Sequence, residues 1–151
     1  DAMDRAEITE KIVEAKLASG KTWAAIAQEM GMAKEWATCA LMGQMQMSRE
    51  QVDKASKALG LKLSEVEIAL LMTPPYRGGL GQTVPTDALL YRFYEIIQVY
   101  GPAMKALIEE EFGDGIMSAI DFEMDISRKE DPKGDRVVVT YNGKFLPYKS
   151  F

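Results

Sequence analysis

Arg92, Glu95 and Ser118 are the side chains of this sequence best placed to do chemistry. Arg92 and Glu95 are three apart in a helical pattern, so they share one helix face. The plain reading is a surface ion pair, worth at most about 0.5 kcal/mol. The sharper reading comes from the flanks. Tyr91, Phe93 and Tyr94 lie on one side, and Ile96 and Ile97 on the other. An arginine among such residues suits a partly dry anion site, because guanidinium keeps its charge and offers a planar fork of donors to a carboxylate-like anion. Ser118 follows the Gly113-Asp114-Gly115 turn. No Gly-x-Ser-x-Gly context surrounds it, and the chain has no histidine to activate it. Ser118 is therefore either a small polar spacer or a hydrogen-bond donor, not a nucleophile.

The rest of the composition narrows the chemistry further. Of 151 residues, 18 are basic and 23 acidic, giving a net charge of -5. That balance argues against a general polyanion binder, since nucleic-acid affinity comes mostly from Lys and Arg neutralising phosphates. One cysteine, Cys39, excludes an intrachain disulfide and suits a reducing compartment. With no histidine, neither a Cys/His zinc site nor a Ser-His-Asp triad can be built from this chain. An all-carboxylate metal site stays open. No apolar run is long enough to span a membrane, and no secretory pattern opens the chain. The expected location is cytoplasmic, with no membrane partner.

Two sets of elements must position the three side chains. Residues 4–72 read as five short helices on one small core. Thr22 caps a helix with Trp23, Ile26, Ala27 and Met30 on one face, and Gly31 stops it. Trp36, Ala40 and Leu41 mark the next. Ser48 with Gln51 and Ser64 with Glu67 have capping-box spacing, and Gly60 ends the helix between them. Thr73 to Gly81, with two prolines and three glycines, reads as the linker. After Pro85, Thr86 or Asp87 caps a helix carrying Leu89, Phe93, Ile96, Ile97 and Tyr100. Gly101-Pro102 is expected to end it and start another helix, with Gly113 at its close. Beyond Ile120 the pattern alternates: Phe122, Met124 and Ile126, a turn at Asp131-Pro132-Lys133-Gly134, then Val137, Val139 and Tyr141. Asn142-Gly143 reads as a second tight turn. A lone two-stranded hairpin is marginal in water, so its strands are expected to pair with those of a second subunit.

Residues 22–43 have the form of a helix-turn-helix, which raises a DNA-binding regulator with a C-terminal dimerisation domain as the alternative function. The second helix of the pair has one lysine, Lys34, beside Glu35, and no arginine or asparagine before Met42. Base edges are read mainly by Arg, Lys, Asn and Gln, so a packing motif with no nucleic-acid partner is the favoured reading.

The run from Tyr91-Arg92-Phe93-Tyr94-Glu95 to Gly101, with Phe112-Gly113-Asp114-Gly115-Ile116-Met117-Ser118 downstream, resembles the signature of the cyanases, also called cyanate hydratases or cyanate lyases. The ending from Asn142 to Phe151 is similar to that family's C-terminus, and the helical half is similar more loosely. The resemblance implies that Arg92, Glu95 and Ser118 are the catalytic residues. It also implies that Ile116 and Leu146 line the substrate pocket with Arg92 and Ser118. The reaction implied is metal-free and needs no cofactor. Bicarbonate, as co-substrate, attacks cyanate, and the mixed anhydride gives carbon dioxide and carbamate, which falls to ammonia and a second carbon dioxide. The partners implied are cyanate, bicarbonate and other copies of the chain, in a decamer of dimers with sites at subunit interfaces. A non-catalytic binder of small anions with the same pocket is a third reading. The expected fold is α+β: a helical, repressor-like domain over residues 1–73, a linker over 74–86, and a catalytic and dimerisation domain over 87–151 whose strands pair with a second subunit.

Overall fold

In the computed structural model, residues 2–151 are described, and the chain falls into two compact units, Asp1–Gly79 and Leu80–Phe151. The fold is α+β.

The first unit holds α1 (Arg5–Ser19), α2 (Trp23–Met30), α3 (Lys34–Leu41), α4 (Arg49–Leu59) and α5 (Glu65–Met72). The start and stop signals work as expected. Thr22 Oγ1 accepts from the Ala25 N–H, and Gly31 ends α2 in the left-handed conformation. Both capping boxes form, Ser48 with Gln51 and Ser64 with Glu67. The apolar stripes meet in one core that includes Ile8, Ile12, Ile26, Leu41, Val52 and Leu71. Arg5 of α1 locks two helix ends together. Its guanidinium donates to the carbonyls of Ala40 and Met45 at 3.2 and 2.6 Å, and to Leu70 at 3.5 Å. The Ala40 and Leu70 carbonyls lie in the last turns of α3 and α5, at the negative ends of the helix dipoles, which is why a cation suits them.

α2 and α3 form the helix-turn-helix. In α3, Lys34 pairs with Glu35. The helix therefore offers no free cation to a phosphate, and nothing in its chemistry supports the DNA-binding alternative.

The second unit contains α6 (Ala88–Phe112), β1 (Gly115–Lys129) and β2 (Arg136–Pro147). Asp87 caps α6 by accepting from the Leu89 and Leu90 N–H groups, both at 3.0 Å. Contrary to the sequence reading, Gly101-Pro102 does not divide this segment: α6 runs through Pro102 as one helix of 25 residues. Gly101 has no Cβ to crowd the proline ring, which relaxes the restriction on the residue before a proline. The Gln98 carbonyl that loses its amide partner lies on an exposed residue, where water can replace it.

β1 and β2 pair antiparallel as a two-stranded sheet, with Gly134 donating to the Asp131 carbonyl at 3.0 Å in the turn. Two expectations are corrected here. β1 starts at Gly115, well before the visible alternation, because the ladder breaks between Met117 and Phe122. Four residues, 118 to 121, stand opposite Lys144 alone, and this bulge destroys the period-2 pattern. Asn142-Gly143 is not a turn either. It lies inside β2, opposite Glu123 and Phe122.

Among the described residues of this unit only Pro85 and Ser118 are buried. α6 buries none of its apolar stripe: Leu89, Phe93, Ile96, Ile97 and Tyr100 all stay exposed.

Candidate functional site

The site residues fall on two pieces of the second unit. Arg92 and Glu95 lie in the first turns of α6, one helical step apart and both exposed. They form no ion pair. The Arg92 guanidinium instead lies 5.6 Å from the centre of the Tyr91 ring, and Tyr91 in turn neighbours Tyr94, ring centres 6.2 Å apart. A guanidinium over an aromatic face is held by the ring quadrupole without losing its charge. Among the described residues no carboxylate neutralises it, which leaves its donors available to an anion.

Ser118 lies in the β1 bulge and is 5% exposed. Its Oγ accepts from two backbone amides, Ile120 and Asp121, each at 3.0 Å. The bulge takes these N–H groups out of the ladder, and the serine oxygen satisfies them in its place. A hydroxyl has two lone pairs and one proton. Both acceptor positions are occupied, so the O–H proton is the one capacity left. Ser118 therefore ties the bulge together through these two bonds, and any further hydrogen bond it makes is as a donor.

Ile116 and Leu146 are direct partners across the β1–β2 ladder, both half-exposed, and Ile116 lies two residues before Ser118 on the same strand. All three lie on the β1–β2 sheet. Among the described residues, no hydrogen bond, ion pair or ring contact joins Arg92 or Glu95 to Ser118. Within one chain the predicted site is two parts: a cation on α6, and a donor with apolar neighbours on the sheet.

Sequence reasoning missed Tyr91 as the support of Arg92 and Gly143 as the close neighbour of the bulge. For Gly143 the signal was present, since a glycine inside a strand pattern marks a bulge or a close backbone approach. The preceding Asn142 gives the pair the composition of a tight turn instead.

Comparison with known proteins covers nearly the whole chain. Two family models match, one described as "Cyanate hydratase, N-terminal" over residues 5–75, the other as "Cyanate lyase C-terminal domain" over residues 82–150. A cyanate hydratase of Ralstonia pickettii (strain 12J) is 54% identical over 149 residues, 99% of this chain and 100% of that protein. One from Methylibium petroleiphilum is also 54% identical over 149 residues, with the same coverage. Among solved structures, a cyanase from T. urticae superposes with a TM-score of 0.81 at 37% identity, covering 93% of this chain and 97% of that one.

Proposed function

Because this chain belongs to the cyanate hydratase family, we propose that it decomposes cyanate with bicarbonate, using Arg92, Glu95 and Ser118. The observation that carries the proposal is the pairing state of these groups. Arg92 keeps an unneutralised guanidinium beside Tyr91, and Ser118 has only a proton left to give. Both are made for anions.

Two anions are the difficulty of this reaction. At about 4 Å their repulsion is roughly 1 kcal/mol in water and roughly 4 kcal/mol at an effective dielectric of 20. Positive charge and donors must be in place before they meet. A bicarbonate oxygen attacks the cyanate carbon and forms a C–O bond, giving a dianionic mixed anhydride of carbamate and carbonate. The bond between that oxygen and the bicarbonate carbon then breaks, releasing carbon dioxide. The bicarbonate's own proton and one further proton must reach the nitrogen for carbamate to form, and another accompanies its collapse to ammonia and carbon dioxide. Neither step draws on a metal or a cofactor.

Arg92 binds and neutralises anionic oxygen, Ser118 donates a hydrogen bond to it, and Ile116 and Leu146 supply the apolar wall. Glu95 has two available roles, orienting Arg92 or moving the proton. The absence of an Arg92–Glu95 ion pair in the chain favours the proton role.

The dianion needs about two positive charges, and one chain supplies one arginine. The exposed stripe of α6 and the two-stranded sheet support completion of the site by other copies of the chain, as pairs within a decamer. Burial of that stripe would also dry the surroundings of Arg92. Among the described residues no helix is long and apolar enough to cross a membrane.

The test is ammonia release from cyanate in buffer stripped of carbon dioxide, with and without added bicarbonate. Release that requires bicarbonate is the expected result. Release without it, or none from an intact assembly, refutes the reaction as written.

A further inference from the structure

We propose that Gly143 is a positioning residue for the reaction, setting the place of Ser118. This rests on the reading that Ser118 donates to the bound anions. Gly143 has a φ outside the left-handed region, so nothing in its backbone conformation calls for glycine. Space does. A Cβ at this position would press on the carbonyl oxygen of Ser118, closer than real Cβ atoms come to any neighbour. It would also meet Met117 Cγ at 2.6 Å and Sδ at 3.3 Å.

The two obstacles differ in kind. The Met117 side chain is flexible and can turn away. The Ser118 carbonyl is backbone, and moving it moves the residue whose Oγ holds the Ile120 and Asp121 amides. The missing Cβ therefore lets the bulge rest directly on β2, and the depth of that contact fixes where the Ser118 hydroxyl points. The same device closes the other end of the segment. A Cβ on Gly115 would press on the Leu146 carbonyl and reach the Phe145 ring, with Cζ at 2.5 Å. Residues 116 to 118 are thus held against β2 from both ends.

An alanine at 143 has to displace Ser118 by on the order of 1 Å, a misplacement that costs on the order of 10²-fold in rate. The experiment measures kcat and KM for cyanate at saturating bicarbonate in the full chain, for Gly143→Ala, Ser118→Ala and the double variant. Helical circular dichroism and assembly mass are followed alongside. If Gly143 acts through Ser118, Gly143→Ala lowers kcat about 100-fold with fold and assembly kept. Added to Ser118→Ala, it then lowers kcat by no more than about 2-fold, because coupled residues are not additive. A full, independent loss in the Ser118→Ala background overturns the proposal, as does parental kcat in Gly143→Ala. Loss of helical signal or of assembly in Gly143→Ala overturns it too, assigning the glycine to the fold. If Ser118→Ala turns over at the parental rate, the Ser118 reading itself falls and takes the proposal with it. That outcome is distinct from an impaired Ser118→Ala beside an unimpaired Gly143→Ala.

Discussion

The Arg92 guanidinium rests on the Tyr91 ring, 5.6 Å from its centre, and not on the carboxylate one helical step away. The cation is held in place without being neutralised. Arg92→Leu is expected to abolish inhibition by small dianions such as oxalate. Tyr91→Leu leaves the charge and removes the support. A cation–π contact of about 0.5–1 kcal/mol corresponds to a weakening of oxalate inhibition by roughly 2- to 5-fold. Inhibition constants for the two variants check both statements, and unchanged inhibition of Arg92→Leu removes Arg92 from the site.

Glu95 is not paired with Arg92 in the chain, which separates its two available roles. A proton carrier contributes about 10²–10⁴-fold to a rate, so Glu95→Gln should lower kcat in that range. It should leave oxalate inhibition unchanged or tighter, because a negative charge next to the anion site is gone. If Glu95 instead orients Arg92, inhibition weakens in step with kcat. A fully active Glu95→Gln variant excludes both roles.

Ser118→Ala removes a donor and also strips the Ile120 and Asp121 amides of their acceptor. Both residues are exposed, so water can take up part of the loss, and each hydrogen bond is worth about 0.5–1.5 kcal/mol net. The variant should therefore unfold at lower temperature as well as lose turnover, by about 10²–10³-fold if the hydroxyl stabilises developing charge. A loss of activity with no fall in melting temperature would mean that the two amide bonds do not hold the bulge.

The legible parts of this fold are those governed by neighbours in sequence. Thr22, Gly31, Ser48, Gln51, Gly60, Ser64 and Glu67 act within one helical turn of their own positions, and each does what its residue type dictates. The misread parts are governed by distant partners. Pro102 sits inside a helix because Gly101 makes room for it, against the local rule that proline ends helices. Gly143 answers to Ser118, 25 positions earlier in the chain. Residues 118 to 121 break the strand alternation where the serine side chain, not β2, takes the Ile120 and Asp121 amides. At the site, residue type marked Arg92, Glu95 and Ser118, but their pairing depends on three-dimensional neighbours, Tyr91 and two backbone amides, that spacing alone does not reveal.

Glu67 makes the helical unit sensitive to acid. Its side chain is fully buried, yet it stays ionised because three donors converge on it. Lys11 Nζ lies at 2.8 Å, the Ser64 amide at 3.0 Å and the Ala2 amide at 3.1 Å. The hydrogen bond from Lys11 is the largest cause, followed by that from the Ser64 amide. Together with the other attractions they outweigh burial and lower the pKa from 4.5 to about 2. The folded state thus binds the proton less readily than the unfolded chain does. The stabilisation is complete above pH 4.5 and is lost as pH falls toward 2. Other carboxylates titrate in the same window, so the informative quantity is a difference between variants. Glu67→Gln should be less stable than the parent at pH 7, and the gap should close as pH drops from 4.5 toward 2. Lys11→Met removes the strongest donor and leaves the carboxylate buried, so its acid transition should move to higher pH. Urea midpoints of the three proteins at neutral pH and at two acid pH values decide it. A gap between parent and Glu67→Gln that is independent of pH would show that Glu67 stabilises the fold through its shape and neutral hydrogen bonds rather than through its charge.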